Sequence, residues 1–180
     1  MKKMKKIGLF YAPAKGSTEK IAKIIADKIG KDKVELILVD ENSTISEFDS
    51  FDKLIFGIST VGRESWDAQY TKVGWDFFLP KLEQANFKGK TAAVYGMGNH
   101  ILYADYFVDA MGFLGKKVLE KGGELVGYVN KNKYEFKHSE AIIDEKFIGL
   151  PIDEDTQEEL TENRLKEWIS EIKGLLSYGR

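Results

Sequence analysis

The sequence predicts an α/β fold: a doubly wound, five-stranded parallel sheet in the order 2-1-3-4-5, set between two helical layers. Three features predict it. Short, continuous apolar runs recur along the chain, as expected of strands buried on both faces. The segments between them carry apolar residues three and four apart, the mark of helices with one buried stripe. Strand and helix alternate regularly, and parallel neighbours need such crossovers, which cover the sheet on both sides. No repeat, low-complexity tract or linker interrupts the 180 residues, so residues 1–180 are expected to form a single domain.

Taken in order, IGLFY at Ile7–Tyr11 is the first strand. It breaks at Ala12–Ser17, where a Pro, a Gly and small or polar side chains make a tight loop, and Ile21, Ala22, Ile24, Ile25 and Ile29 then mark a helix. Val34–Val39 reads as the second strand and Asp40–Ser50 as a polar, turn-rich connection. Lys53–Ser59, with Leu54-Ile55-Phe56-Gly57-Ile58 at its centre, is the third strand, followed by a polar loop over Thr60–Gly74. Trp75–Gln84 carries Trp75, Phe77, Phe78, Leu79 and Leu82 and is expected to be a short helix in spite of Pro80. Thr91–Tyr95 is the fourth strand, Gly96–Leu102 a loop, Tyr103–Lys121 a helix and Glu124–Val129 the fifth strand. Asn130–Asp155 breaks the alternation. It is polar and aromatic apart from Phe147–Ile152, and reads as an excursion within or after the last strand, with either a binding or a folding role. Thr156–Leu176 closes the chain as an amphipathic helix with Leu160, Leu165, Trp168, Ile169, Ile172 and Leu175 inward. The acidic runs Asp153-Glu154-Asp155 and Glu158-Glu159 read as its solvated start, favoured by the helix dipole.

Composition removes several classes of function. With 27 basic residues against 29 acidic, neither nucleic acid nor an anionic membrane is expected as a partner. There is no cysteine, hence no disulfide, thiolate metal site or cysteine nucleophile, and redox chemistry would need a bound cofactor. MKKMKK runs straight into a strand without the apolar stretch of a signal peptide, so a cytoplasmic location is expected. No metal spacing of histidines and carboxylates and no serine nucleophile elbow is evident.

In the order 2-1-3-4-5 the switch point lies between the first and third strands, so the loops at 12–17, 60–74 and 96–102 open onto one crevice, where a ligand is expected. The first loop offers backbone N–H groups and the positive end of a helix dipole, which suit a phosphate. The alternative is that Gly16, Ser17 and Thr18 only turn the chain and cap the helix.

FYAPAKGST, GISTVGRES, WDFFLPKLE, GMGNHILYADYF and FIGLPIDEDTQEELTENRLKEWISEI, in register from about Ile7 to Leu176, make the whole chain resemble a long-chain flavodoxin. The resemblance implies non-covalent FMN in the crevice and low-potential, one-electron shuttling from a flavin or ferredoxin reductase to redox acceptor enzymes. It implies a monomer that docks transiently, and it makes the 130–155 excursion an insertion at the fifth strand.

The family's phosphate pattern S/T-x-T-G-x-T reads here as Pro13-Ala14-Lys15-Gly16-Ser17-Thr18. Two hydroxyls are missing, Gly16 and Thr18 match, and Ser17 adds an oxygen. Backbone N–H groups from Ala14 to Thr18 would surround the phosphate, with Lys15 either supplying charge or lying in solvent, while Pro13 has no N–H to give. In Ser59-Thr60-Val61-Gly62-Arg63-Glu64 the resemblance sets Thr60 and Val61 against the flavin ring. It also lets the Gly62–Arg63 peptide turn its carbonyl toward flavin N5, which favours the neutral semiquinone; glycine makes that turn without a Cβ penalty. Arg63 stands where many relatives are acidic, and a cation favours the reduced, anionic ring. Trp66 either covers the ring or packs beneath the loop. Gly96-Met97-Gly98-Asn99-His100-Ile101-Leu102-Tyr103 resembles GxGDQxxY. Tyr103 would stack on the outer ring face, worth roughly 0.5–1.5 kcal/mol beyond burial, and the backbone of Met97, Gly98 and Asn99 would read the ring's polar edge. Asn99 and His100 replace the family's Asp and Gln, and Ile101-Leu102 make an apolar rim. A second class of function stays open: a flavodoxin-like reductase or binding protein taking a planar ligand such as a tetrapyrrole at the flavin edge, with His100 as proton donor or axial ligand. So does a relic of the fold that has lost FMN.

Overall fold

All five positions of the first strand, β1 (Ile7–Tyr11), are buried, as its uninterrupted apolar sequence requires. The computed structural model describes residues 5–60 and 74–177. β2 (Val34–Leu38) pairs with β1 from Ile7↔Val34 to Tyr11↔Leu38, and β3 (Lys53–Ser59) takes the other edge from Gly8↔Leu54 to Tyr11↔Gly57. β4 (Thr91–Met97) pairs with β3 over its whole length, Lys53↔Thr91 to Ser59↔Met97, and all these ladders are parallel. β4 thus runs two residues beyond its expected end, taking in Gly96 and Met97.

The fifth position is filled twice. β5 (Glu124–Leu125) lies against Thr91 and Ala92. The chain then leaves to form a small antiparallel sheet of β6 (Val129–Asn130), β7 (Ile142–Ile143) and β8 (Lys146–Phe147) in the order β6-β8-β7. It returns as β9 (Leu150–Ile152) against Tyr95, Gly96 and Met97. The order 2-1-3-4-5 holds, with the insertion inside the fifth strand. The expected strand over Glu124–Val129 is cut short because Gly127 takes φ 82° and its carbonyl oxygen accepts from the Trp168 indole N–H at 2.9 Å. A side chain there would meet Trp168 at 2.6 Å, so a glycine is needed for both reasons.

Two helices cover one face: α1 (Ser17–Ile29) and the closing helix, whose buried Ile21, Ile25, Leu165, Trp168 and Ile172 pack with Leu9, Ile55 and Tyr95. On the other face α2 (Trp75–Phe78) runs into a 3-10 helix at Leu79–Gln84, with Pro80 near its start, and α3 (Asp109–Glu120) follows β4. Their core joins Phe10, Phe48, Phe56 and Phe87 through edge-on and tilted ring contacts with centroids 4.8–6.1 Å apart. The connection after β2 holds a 3-10 helix at Ile45–Ser50, closed by a capping box in which the Thr44 N–H donates to the Glu47 carboxylate at 2.8 Å.

The closing helix, α4, spans Glu158–Ser177. Its buried stripe is Thr161, Leu165, Trp168, Ile169, Ile172 and Leu176, whereas Leu160 and Leu175 are 39% and 47% exposed. The expected inward set was one position out of phase at both ends; Leu165 to Ile172 fix the face, and only residues three or four away share it. α3 starts six residues later than expected, because the backbone of 104–107 pairs with the excursion instead of with a helix. Ala104 O accepts from the N–H groups of Lys137 and His138 at 2.8 and 2.9 Å, and the Phe107 N–H donates to His138 O at 3.2 Å. The Ser139 hydroxyl donates to Phe107 O at 2.5 Å. Aromatic contacts of Phe107 with Tyr134, Phe136 and Phe147 fill the space between.

A Cβ on Gly112 of α3 would lie 2.6 Å from the Glu140 carbonyl of the excursion. Gly112→Ala gains about 1 kcal/mol of helix propensity but overpacks a backbone contact, which costs about 1–3 kcal/mol. The variant is expected to unfold at lower denaturant, with a net loss of up to about 2 kcal/mol; a stabilised variant would contradict this packing of α3 on the excursion.

Candidate functional site

β1, β3 and β4 end side by side, and backbone pairing continues one residue past each. The Ala12 N–H donates to Gly57 O (3.2 Å), Thr60 N–H to Met97 O (3.0 Å) and Gly98 N–H to Ile152 O (2.9 Å). The three loops therefore leave from one edge of the sheet at the point where strand order reverses.

In the first loop Pro13, Ala14, Lys15, Gly16 and Ser17 are exposed and Thr18, in the first turn of α1, is buried. Lys15 is left-handed at φ 64°, and the space where a Gly16 side chain would sit is open. No side chain caps α1. The Lys15 N–H donates to the Glu19 carboxylate at 2.5 Å, so the loop already holds an anionic oxygen. That bond, then the one from Lys23, lowers the Glu19 pKa below its ordinary value. Among the described residues the N–H groups of Ser17, Thr18 and Glu19 have no acceptor. Open donors at the positive end of a 13-residue helix, next to an exposed loop, fit a phosphate.

In the second loop Ser59 ends β3 half-buried and Thr60 is buried. The Thr60 hydroxyl accepts from the Ala110 N–H at 3.1 Å and so supplies an acceptor at the start of α3. Val61, Gly62, Arg63 and Trp66 lie outside the described residues.

The third loop differs most from expectation. Gly96 and Met97 belong to β4, and Gly96 faces Met111 of α3, which a Cβ would meet at 2.7 Å. Gly98 packs against Phe107 and Val108 in the same way. Of the backbone groups of Met97, Gly98 and Asn99 expected to read a ring edge, Met97 O and the Gly98 N–H are engaged in sheet bonds. Asn99 is buried; its Oδ1 accepts from the N–H groups of Ile101 and Leu102 at 3.1 and 2.9 Å, and its Nδ2 donates to Asp155 at 3.2 Å. The Tyr103 N–H closes the turn onto Asn99 O at 2.9 Å; Tyr103 is half-buried, and Ile101 and Leu102 are 63% and 71% exposed.

His100 is held by Asp153. Its Nδ1 lies 2.6 Å from Asp153 Oδ2, and its own N–H donates to the same oxygen at 3.0 Å. The Thr156 hydroxyl also donates to that oxygen, at 2.6 Å, and lies 3.0 Å from Nδ1. With the Thr156 proton on the carboxylate, Nδ1 faces two acceptors and carries a hydrogen, which fixes the tautomer of neutral imidazole. The second carboxylate oxygen accepts from the N–H groups of Asp155 and Thr156 at 3.1 and 2.8 Å. Burial by itself raises the Asp153 pKa, and the bonds from Thr156 and His100 outweigh it, so the carboxyl is held below its ordinary range. Asp153 is thus fully buried rather than solvated, and Glu154 is nearly so, paired with Lys20 at 2.7 Å. An Asp three residues before a Thr, ahead of a helix, is the local sequence signature of such a side-chain-to-backbone turn.

A family model described as Flavodoxin matches residues 9–168. A flavodoxin from Synechocystis sp. is 40% identical over 173 residues, covering 96% of this chain and 99% of that protein. One from Nostoc sp. is 38% identical over 169 residues, covering 94% and 96%. The crystal structure of Fusobacterium nucleatum flavodoxin bound to flavin mononucleotide superposes with a TM-score of 0.81 at 31% identity, covering 96% of this chain and 99% of that one.

Because the folded pKa of Asp153 is lowered, its stabilisation is present above the ordinary carboxylate value and lost as pH falls through the folded one. Asp153→Asn is expected to cost roughly 2–3 kcal/mol at neutral pH. Denaturant unfolding at a series of pH values should show the gap from wild type closing below about pH 4; a gap that stays constant would show that the charge on Asp153 contributes nothing.

Proposed function

The chain belongs to the flavodoxin family, and from that premise we propose that it binds FMN at the carboxyl ends of β1, β3 and β4 and carries low-potential electrons from a reductase to acceptor enzymes. The observation that carries this reading is the set of open N–H groups at the head of α1, beside an amide that already holds a carboxylate oxygen. Bound FMN supplies the one-electron chemistry, and the chain makes no bond to a substrate. Pro13 to Thr18 wrap the phosphate, with Lys15 adding charge. Ser59, Thr60, Val61, Gly62 and Arg63 line one side of the ring, and Gly96, Met97, Gly98, Asn99, His100 and Tyr103 the other. Within that set, Gly96 and the Thr60 hydroxyl act indirectly, by packing and capping α3, while Tyr103 gives the stacking face. The Asn99 turn and the Asp153–His100 contact hold the Tyr103 loop at its start.

The same reading makes the protein a single-domain, monomeric carrier in the cytoplasm. No helix among the described residues is long and apolar enough to cross a membrane. Ile101, Leu102 and Tyr106, beside Tyr103 in the chain, are exposed apolar residues, and the overall charge is only −2. Contact with redox partners therefore depends weakly on salt. A planar second ligand held by His100 finds no support in the comparisons, whose matched proteins are described as flavodoxins.

The purified protein is expected to be yellow with flavin absorption bands, or to take up FMN when supplied. Lys15→Ala is expected to weaken FMN binding by roughly fivefold, a loss of about 1 kcal/mol for one exposed charge. A colourless protein that takes up no FMN at micromolar concentrations would overturn the reading.

A further inference from the structure

Tyr95 lies in β4 on the face covered by α1 and α4 and is completely buried. Its register partner on β3 is Gly57. The phenol ring lies across that glycine, since a Cβ at Gly57 would stand 2.1 Å from both Cζ and Oη of Tyr95. β3 therefore leaves out a side chain at one position, and the phenol uses the gap to cross the strand. Beyond it the hydroxyl donates to the carbonyl oxygen of Thr18, in the first turn of α1, at 2.9 Å. Burial, with a smaller contribution from Tyr11, pushes the phenol pKa well above its ordinary value, so Tyr95 keeps its proton and remains a donor.

The Thr18 carbonyl and the Glu19 N–H belong to one planar peptide and point in opposite directions. Anchoring the carbonyl to the sheet fixes where that N–H points, and it is one of the open donors at the head of α1.

We propose that Tyr95 is a positioning residue for the phosphate loop: through the gap at Gly57 its hydroxyl fixes the first turn of α1, so that the donors there are aimed before a phosphate arrives. This rests on the FMN reading above and deepens it. Tyr95 touches no part of the ligand; it acts through Thr18, and it acts on the phosphate end alone. Preorganised donors spare a ligand the cost of ordering them, and a flavin without phosphate has no use for them.

Tyr95→Phe removes only the hydroxyl and keeps the ring that fills the gap. Dissociation constants of the cofactor-free protein for FMN and for riboflavin separate the roles, with its thermal unfolding as a control. The expected result is a roughly five- to tenfold weaker FMN complex and a riboflavin complex changed by less than about twofold. A variant that loses affinity for both flavins alike would assign Tyr95 a general packing role, and one that loses affinity for neither would show the anchor to be idle; either overturns the proposal. Gly57→Ala, which closes the gap against Tyr95, should reproduce the selective loss of FMN affinity if it folds. Wild-type protein that binds no FMN would overturn the functional reading as well, which sets that failure apart from one confined to Tyr95.

Discussion

The ladder between β3 and β4 is the constraint on which the rest of this structure depends. It runs seven residues in register, and the inner five positions of each strand are buried. A strand buried on both faces has no water to satisfy its backbone, so every N–H and C=O must find a partner along its edges. This demand does not stop where the regular strands stop. It reaches Ala12, Thr60 and Gly98, whose N–H groups extend the pairing one residue into each loop. The three loops consequently start from fixed points, close together and pointing the same way, before any side chain of the site is considered.

The same demand explains the divided fifth strand. β5 serves only the amino half of β4, and the carboxyl half would be left open on that edge without β9. Once the chain has left the sheet and must return, the excursion between is free to do other work. It buries Phe107, Tyr134, Phe136 and Phe147 against one another and binds the backbone of residues 104–107. The loop that carries Tyr103 is then held from two sides, by Asp153, Asp155 and Thr156 at its start and by the excursion at its end. An aromatic face placed against a flat ligand needs such support, because a loop held only at one end would lose entropy on binding.

Electrostatically the site is unusual in how its charges are spent. Asp153 is buried and used up by five hydrogen bonds, and Glu154 is paired with Lys20. The acidic run at the start of α4, which in sequence looks like a solvated cluster, therefore presents little free negative charge from these two residues. Among the described residues the loops leaving this edge also carry the exposed Ile101 and Leu102 and the Lys15 side chain, which suit an anionic ligand with a planar apolar body.

The sequence by itself determined the order of the strands, the sheet edge from which the three loops leave, the strand–loop–helix at Ile7–Ile29 and the place of the insertion, because uninterrupted apolar runs and helical spacing are local signals that burial makes almost obligatory. It also determined family membership, through motifs held in register along nearly the whole chain. Only the tertiary structure decided where α3 begins, since residues 103–108 have helical spacing but the backbone of Ala104 and Phe107 is claimed by the excursion. It alone decided that Gly96 and Met97 finish β4, which required a partner returning from Leu150, and that Leu160 and Leu175 stay outside while Thr161 and Leu176 go in. The contacts of Asp153, Tyr95 and Gly57 belong to the same category. Each depends on a group brought from a distant element, and no pattern within a short window of sequence registers a hydrogen bond that spans 53 or 77 residues.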